Sequence, residues 1–183
     1  MAPAPGEPRQ RVLDIALRLF GERGYGGTPL QAIAEELGVS KASVYYYFPA
    51  KGDLLKALAE RCLERLVAVL TDPPDTAELV NCRVVLDAYL AIVADWSAVV
   101  ALLIGDPTAS ALPAAVQFRA ERERLRQRLA LAGSAQVGLV QATCCLGAVE
   151  RAAFDLPPAD TSANRSTILD AAMRALSGAP NGS

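Results

Sequence analysis

There is no histidine in this chain of 183 residues. Its absence removes the commonest general base and metal ligand. No glycine-rich phosphate loop, nucleophile elbow or paired-carboxylate helix motif is present either, so the sequence recommends no enzyme chemistry and asks for no cofactor or metal. Cysteine is sparse: Cys62 and Cys82 stand alone, Cys144 and Cys145 are adjacent, and none has metal-ligand spacing. They read as small core residues, with redox activity at Cys144 and Cys145 left open. Long apolar runs are also lacking. The longest, 98–105, is far too short to span a bilayer, so no membrane partner is expected and the expected location is the cytoplasm. Aromatics make up only 5% of the chain, while Ala, Leu and Val dominate a 52% apolar composition. Such a profile suits an all-α protein, and the length fits one large domain or two small ones.

Charge is nearly balanced, at a formal −2, yet lysine is confined: Lys41, Lys51 and Lys56 are the only three. They lie in or beside "SVYYYFPAK" (43–51), where three of the five tyrosines are consecutive. The chain opens on "MAPAPGEPRQ", whose proline-rich, polar start reads over residues 1–8 as a disordered arm rather than a signal peptide.

From Arg9 the pattern becomes helical, with Val12, Ala16, Leu19 and Phe20 on one face, and Gly24, Gly26 and Gly27 open a turn. In "TPLQAIAEELG" (28–38) Thr28 can cap, Pro29 suits the first helical position and Gln31 completes a capping-box spacing. Gly38 ends this short helix and Ser40 caps the next. Two short helices joined by a tight glycine turn predict a helix-turn-helix over about 30–49. On the second helix Val44 and Phe48 mark the buried side, Tyr45 and Tyr47 flank it, and Tyr46 lies about 200° from Val44, pointing away from the core. Ala42 and Ser43 share that outer face, and no carboxylate occurs between Ser40 and Lys51. A groove-reading helix needs such a face, because a carboxylate would repel phosphate.

The stretch "VLDIALRLFGERGYGGTPLQAIAEELGVSKASVYYYFPAKGDLLKALAE" resembles the TetR family of transcriptional regulators in order and spacing, from about Arg9 to Arg65. The resemblance implies an all-α protein with an N-terminal helix-turn-helix DNA-binding domain (9–50, leaning on a helix at 51–70) and a C-terminal helical effector-binding and dimerisation domain (51–183). It implies a homodimer on a palindromic double-stranded DNA operator, released by a small-molecule effector. By position, Thr28, Tyr45, Tyr47 and Lys51 would contact phosphates, and Lys41, Ala42, Ser43 and Tyr46 would lie on or near the bases. Ala50 stands where the family often has a capping side chain, which predicts a frayed start to the Lys51 helix at a cost of about 1 kcal/mol. Two rivals stand beside a repressor: an activator, and a helical carrier or enzyme with a vestigial head.

Beyond Arg65 the helical pattern continues near 51–70, 76–96, 97–105, 112–132, 134–155 and 161–177, with "TDPPD" (71–75) as a turn. Cys82, Tyr89 and Trp96 recur every seven residues. With Phe118 they are candidate lining for a largely apolar effector, against the plainer reading of an aromatic core stripe. "QFRAERERLRQRL" (117–129) interleaves arginine with Glu121 and Glu123 and reads as a solvated face of ion pairs. Gly138, Ala142, Cys145, Val149 and Ala152 follow spacings of four and three, a seam small enough for close helix approach. Because the last two helices pair subunits in the TetR family, this seam and Ile168, Ala172 and Met173 are candidates for the dimer interface. An internal helix contact is the alternative.

Overall fold

The computed structural model describes residues 7–71, 79–133 and 137–178. Among them every regular element is a helix, and no single helix is long and apolar enough to cross a membrane. Most of the 1–8 arm and the turn at 71–75 lie outside the described residues. The chain divides into two compact units, Met1–Cys62 with Ala98–Ala115, and Leu63–Ser97 with Val116–Ser183.

The first unit contains α1 (Glu7–Arg23), α2 (Leu30–Leu37), α3 (Lys41–Tyr47), the start of α4 (Lys51–Thr71), most of α6 (Ser97–Gly105), and the single turn α7 (Pro107–Ser110). The stripe expected on α1 is buried: Val12, Leu13, Ala16, Leu19 and Phe20 are at most 3% exposed. Leu30, Ile33 and Ala34 of α2, Val44 of α3 and Leu54 and Leu58 of α4 complete this core. The chain leaves α1 through Gly24 in the left-handed region (φ 73°). At Gly27 a side chain would collide with the carbonyl oxygen of Arg23, so the chain can double back closely there.

The second unit is built from α5 (Leu79–Asp95), α8 (Pro113–Ala132), α9 (Gly138–Asp155), α10 (Pro158–Ala163) and α11 (Arg165–Ser177). α9 packs along α11, and α5 lies against both. The helix expected at 161–177 is in fact two. Asn164 donates its backbone N–H and its side-chain amide to the Asp160 carbonyl, each at 2.9 Å, and closes α10 before α11 begins.

This packing relocates the small-residue seam. Gly138, Ala142, Cys145 and Val149 of α9 and Ile168 and Ala172 of α11 are all buried inside the protomer, while Ala152 and Met173 are half-buried. A side chain at Gly138 would strike the Ala130 carbonyl oxygen of α8. The seam therefore serves close helix approach within the chain, and these six buried positions are not open to a second subunit. The outward face of α9 instead carries Leu139, Val140 and Cys144.

Candidate nucleic-acid interface

The turn between α2 and α3 is built as its residues suggest. Gly38 sits at φ 65°, a left-handed conformation that costs glycine no Cβ clash, and its N–H returns to α2. Ser40 caps α3, its hydroxyl accepting the Ser43 N–H at 3.2 Å. The Ser40 and Ser43 hydroxyls are also hydrogen-bonded, at 2.8 Å. Val44 and Phe48 anchor α3, at 0% and 2% exposure.

Those anchors turn the remaining side chains outward. Tyr46 is 81% exposed and Tyr45 39%, while Tyr47 is half-buried with its ring edge-on to Tyr46, centroids 5.1 Å apart. The Lys41 ammonium lies 5.2 Å from the Tyr45 ring centroid, a cation–π contact that leaves its charge at the surface. Ala42 and Ser43 are exposed beside them. The structure thus brings Lys41, Ala42, Ser43, Tyr45, Tyr46 and Tyr47 onto one helix without a carboxylate.

Two other expected contacts are placed differently. Thr28 is 0% exposed, and its hydroxyl donates to the Leu19 carbonyl (3.1 Å) and the Gly24 carbonyl (2.9 Å). It staples the turn to the end of α1, does not cap α2, and has no hydroxyl to offer a phosphate. Gln31 bonds to Glu35 rather than completing a capping box. Lys51 is half-buried, donating to the Tyr25 carbonyl with its ammonium 4.2 Å from the Tyr25 ring centroid. Burial lowers its pKa from the ordinary lysine value. Lys51 therefore ties the start of α4 to the α1–α2 turn. The α4 start is also better capped than expected, because Asp53 accepts the Ala50 N–H at 3.0 Å.

Two arginines of α1 join this surface without a sequence signal that singled them out. Arg9 lies over the Phe48 ring at 5.0 Å. Arg11 lines a cleft of about 240 Å³ together with Val39, Ser43 and Tyr47.

In the second unit, Cys82, Tyr89, Trp96 and Phe118 are all buried, at no more than 6% exposure, and line none of the described clefts. Tyr89 has a polar role. Its hydroxyl donates to Glu150 at 2.6 Å, and Arg122 grips the same carboxylate through Nε (2.5 Å) and a terminal nitrogen (2.8 Å). Burial, then the Glu150 charge, push the Tyr89 phenol well above its ordinary pKa. The basic run is therefore only partly a solvated ion-pair face. Arg124 and Arg126 pair with Glu121 and Glu123 along α8, while Arg122 turns inward to Glu150, which is 8% exposed.

A short capped helix pair with an anchored, outward-facing, acid-free second helix matches one known sequence signature. The description "Bacterial regulatory proteins, tetR family" applies to residues 12–58. Residues 12–58 therefore carry a head of the TetR family. The TetR-type head is 43% identical over 54 residues to the HTH-type transcriptional regulator AcrR of Shigella flexneri, covering 30% of this chain and 25% of that protein. It is 36% identical over 58 residues to the negative transcriptional regulator IcaR of the icaADBC biofilm operon in Staphylococcus aureus, covering 32% and 31%. The chain thus spans about a quarter to a third of the curated relatives it matches. Over nearly the whole chain, the fold is similar to a TetR-like transcriptional regulator from Rhodococcus sp. RHA1, with a TM-score of 0.71, 25% identity and coverage of 98% and 100%.

Proposed function

We propose that this chain is a TetR-type, ligand-responsive transcriptional repressor that binds a palindromic operator as a dimer. The observation that carries the reading is α3 itself, with Tyr46 81% exposed on a helix that has no carboxylate. Tyr45, Tyr46 and the half-buried Tyr47 form a contiguous aromatic cluster at the surface, and such patches mark interaction sites; an acid-free, hydroxyl-lined face suits the polyanionic major groove. Lys41, Ala42, Ser43 and Tyr46 lie on or near base edges, while Tyr45 and Tyr47 donate hydroxyls to phosphates. Thr28 and Lys51 act by holding the turn and the α4 start, and Lys51 reaches a phosphate only by leaving Tyr25. Repression, rather than activation, is favoured by the likeness of the head to a negative regulator.

Subunits pair through the outward face of α9, where Val140 is 63% and Leu139 51% exposed. The two heads then sit in successive major grooves, about 34–36 Å apart. The effector is a small, largely apolar molecule that enters the second unit's core among Cys82, Tyr89, Trp96 and Phe118, with the Arg122–Glu150–Tyr89 cluster meeting any polar end. Because these side chains pack against protein in the present state, the effector selects a second, opened state, and it releases DNA by at most its differential affinity for the two. A regulator acting on DNA in this way works in the cytoplasm.

The experiment is selection of palindromic duplexes from a random library by the wild type, followed by Tyr46→Ala on the selected set. The reading expects a consensus operator whose ranking against point variants changes in Tyr46→Ala. A selection that returns no enriched palindrome counts against it.

A further inference from the structure

The DNA-binding surface does not end with the helix-turn-helix, because the first turns of α1 form the far wall of a cleft opened by α3. Its volume is about 240 Å³, and Arg11 stands on one side with Ser43 and Tyr47 on the other. Val12, Leu37 and Val39 form an apolar floor and rim, and among the described residues no carboxylate lines it. Val39 is 45% exposed, an apolar side chain left at the surface beside a charged one.

Arg11 differs from its neighbours on α1. Arg18 is held by Glu22 and Glu36, and Arg9 rests over the Phe48 ring. Arg11 is exposed and makes no hydrogen bond or ion pair among the described residues. A cation facing two hydroxyl-bearing side chains across a cleft with no carboxylate among its described lining is complementary to an anion. An apolar rim beside it suits a sugar ring. One ligand chemistry has both parts at this spacing, the sugar–phosphate unit of a nucleic acid strand.

We propose that this cleft seats one deoxyribose–phosphate of the operator, with the sugar against Val39 and the phosphate between the Arg11 guanidinium and the Tyr47 hydroxyl. The proposal rests on the operator-binding reading above and adds a site to it. The contact lies to the side of the base-facing residues, so it fixes how α3 enters the groove and carries no sequence information of its own. Arg9, steadied on the buried Phe48, supplies a second positive charge on the same turns of α1.

The test is fluorescence anisotropy on a selected operator and on an unrelated duplex, from 50 to 200 mM salt, with wild type, Arg11→Ala and Arg11→Lys. One phosphate contact adds about 0.9 to the log–log salt slope, and a dimer carries this contact twice, about 1.8 in all. Over this fourfold range the wild type should therefore lose about twelve times more affinity than Arg11→Ala. Arg11→Ala should weaken both duplexes alike, and Arg11→Lys should restore the slope. Circular dichroism should match across the three, since an exposed side chain without a described partner is replaced. If wild type binds with a steep slope and Arg11→Ala matches it in slope and affinity, the cleft contact is refuted while the operator reading stands. If Arg11→Ala weakens only the operator and spares the unrelated duplex, a base contact replaces the proposed backbone contact. If wild type shows no salt-dependent binding, the operator reading falls and takes the cleft with it.

Discussion

Replacing Glu150 by alanine should be among the most damaging single changes to the second unit, although it lies far in sequence from the helix-turn-helix. The substitution removes the acceptor for three hydrogen bonds at once, from Tyr89 at 2.6 Å and from Arg122 at 2.5 and 2.8 Å. Tyr89 is fully buried, so its hydroxyl would be orphaned at a cost of about 1–3 kcal/mol. Breaking a buried ion pair by removing one partner typically costs about 3–5 kcal/mol. The Arg122 side chain keeps 28% of its surface exposed and can partly rehydrate, which argues for the lower end, about 3 kcal/mol in all. For a chain of this length that is a fall in Tm of roughly 6–12 °C. Urea unfolding followed by the fluorescence of Trp96, the only tryptophan and a residue of this unit, reads the loss directly. Tyr89→Phe should cost only about 1 kcal/mol, because the carboxylate keeps Arg122. Arg122→Met and Glu150→Leu combined with Tyr89→Phe, which removes the orphaned hydroxyl, should recover most of the stability, since apolar groups of similar volume often replace a buried ion pair without loss. A loss below about 1 kcal/mol for Glu150→Ala, or a triple variant as weak as the single, would refute the reasoning.

Thr28→Val should destabilise the head by about 1–2 kcal/mol, because the Leu19 and Gly24 carbonyls lose their shared donor; Thr28→Ser should retain it, and unchanged stability in Thr28→Val would contradict a stapling role. Native protein should expose at most one fast-reacting thiol to an aromatic disulfide reagent, at Cys144. Cys62 and Cys145 are buried, with burial pushing both thiols up to about 12, and two fast thiols in the folded state would contradict this packing. Val140→Arg should give a folded, helical monomer by light scattering and circular dichroism, and should leave Cys144 more reactive. A persistent dimer would move the subunit interface elsewhere.

The parts of the fold that the sequence displayed are those settled by neighbours in the chain. Gly38 and Ser40 act within one turn of their own positions, so glycine conformation and side-chain capping predict the α2–α3 junction. The outward direction of Tyr46 follows from helical geometry once Val44 is buried. Thr28 shows where such reasoning stops: its hydroxyl satisfies Leu19, nine residues earlier, rather than a backbone N–H three residues on. The α9 seam shows the same limit in another form. Spacing identifies which residues share a face, but whether that face meets α11 of the same chain or a second chain depends on the tertiary fold. Glu150 carried no local signal at all. Its partner Arg122 lies in a run whose other arginines have nearby glutamates, so an inward-turning arginine there looks like its neighbours until the helices are placed. Arg11 was equally silent, since only the cleft beside α3 distinguishes it from Arg18.

The central claim, that α3 and its surroundings bind duplex DNA, is tested most directly by the salt dependence of wild-type binding to a selected palindromic duplex. A dimer making about four to six phosphate contacts, Arg9 and Arg11 of each head among them, should show a log–log slope of about −4 to −5. Binding that is absent, or whose affinity does not change between 50 and 200 mM salt, would contradict it.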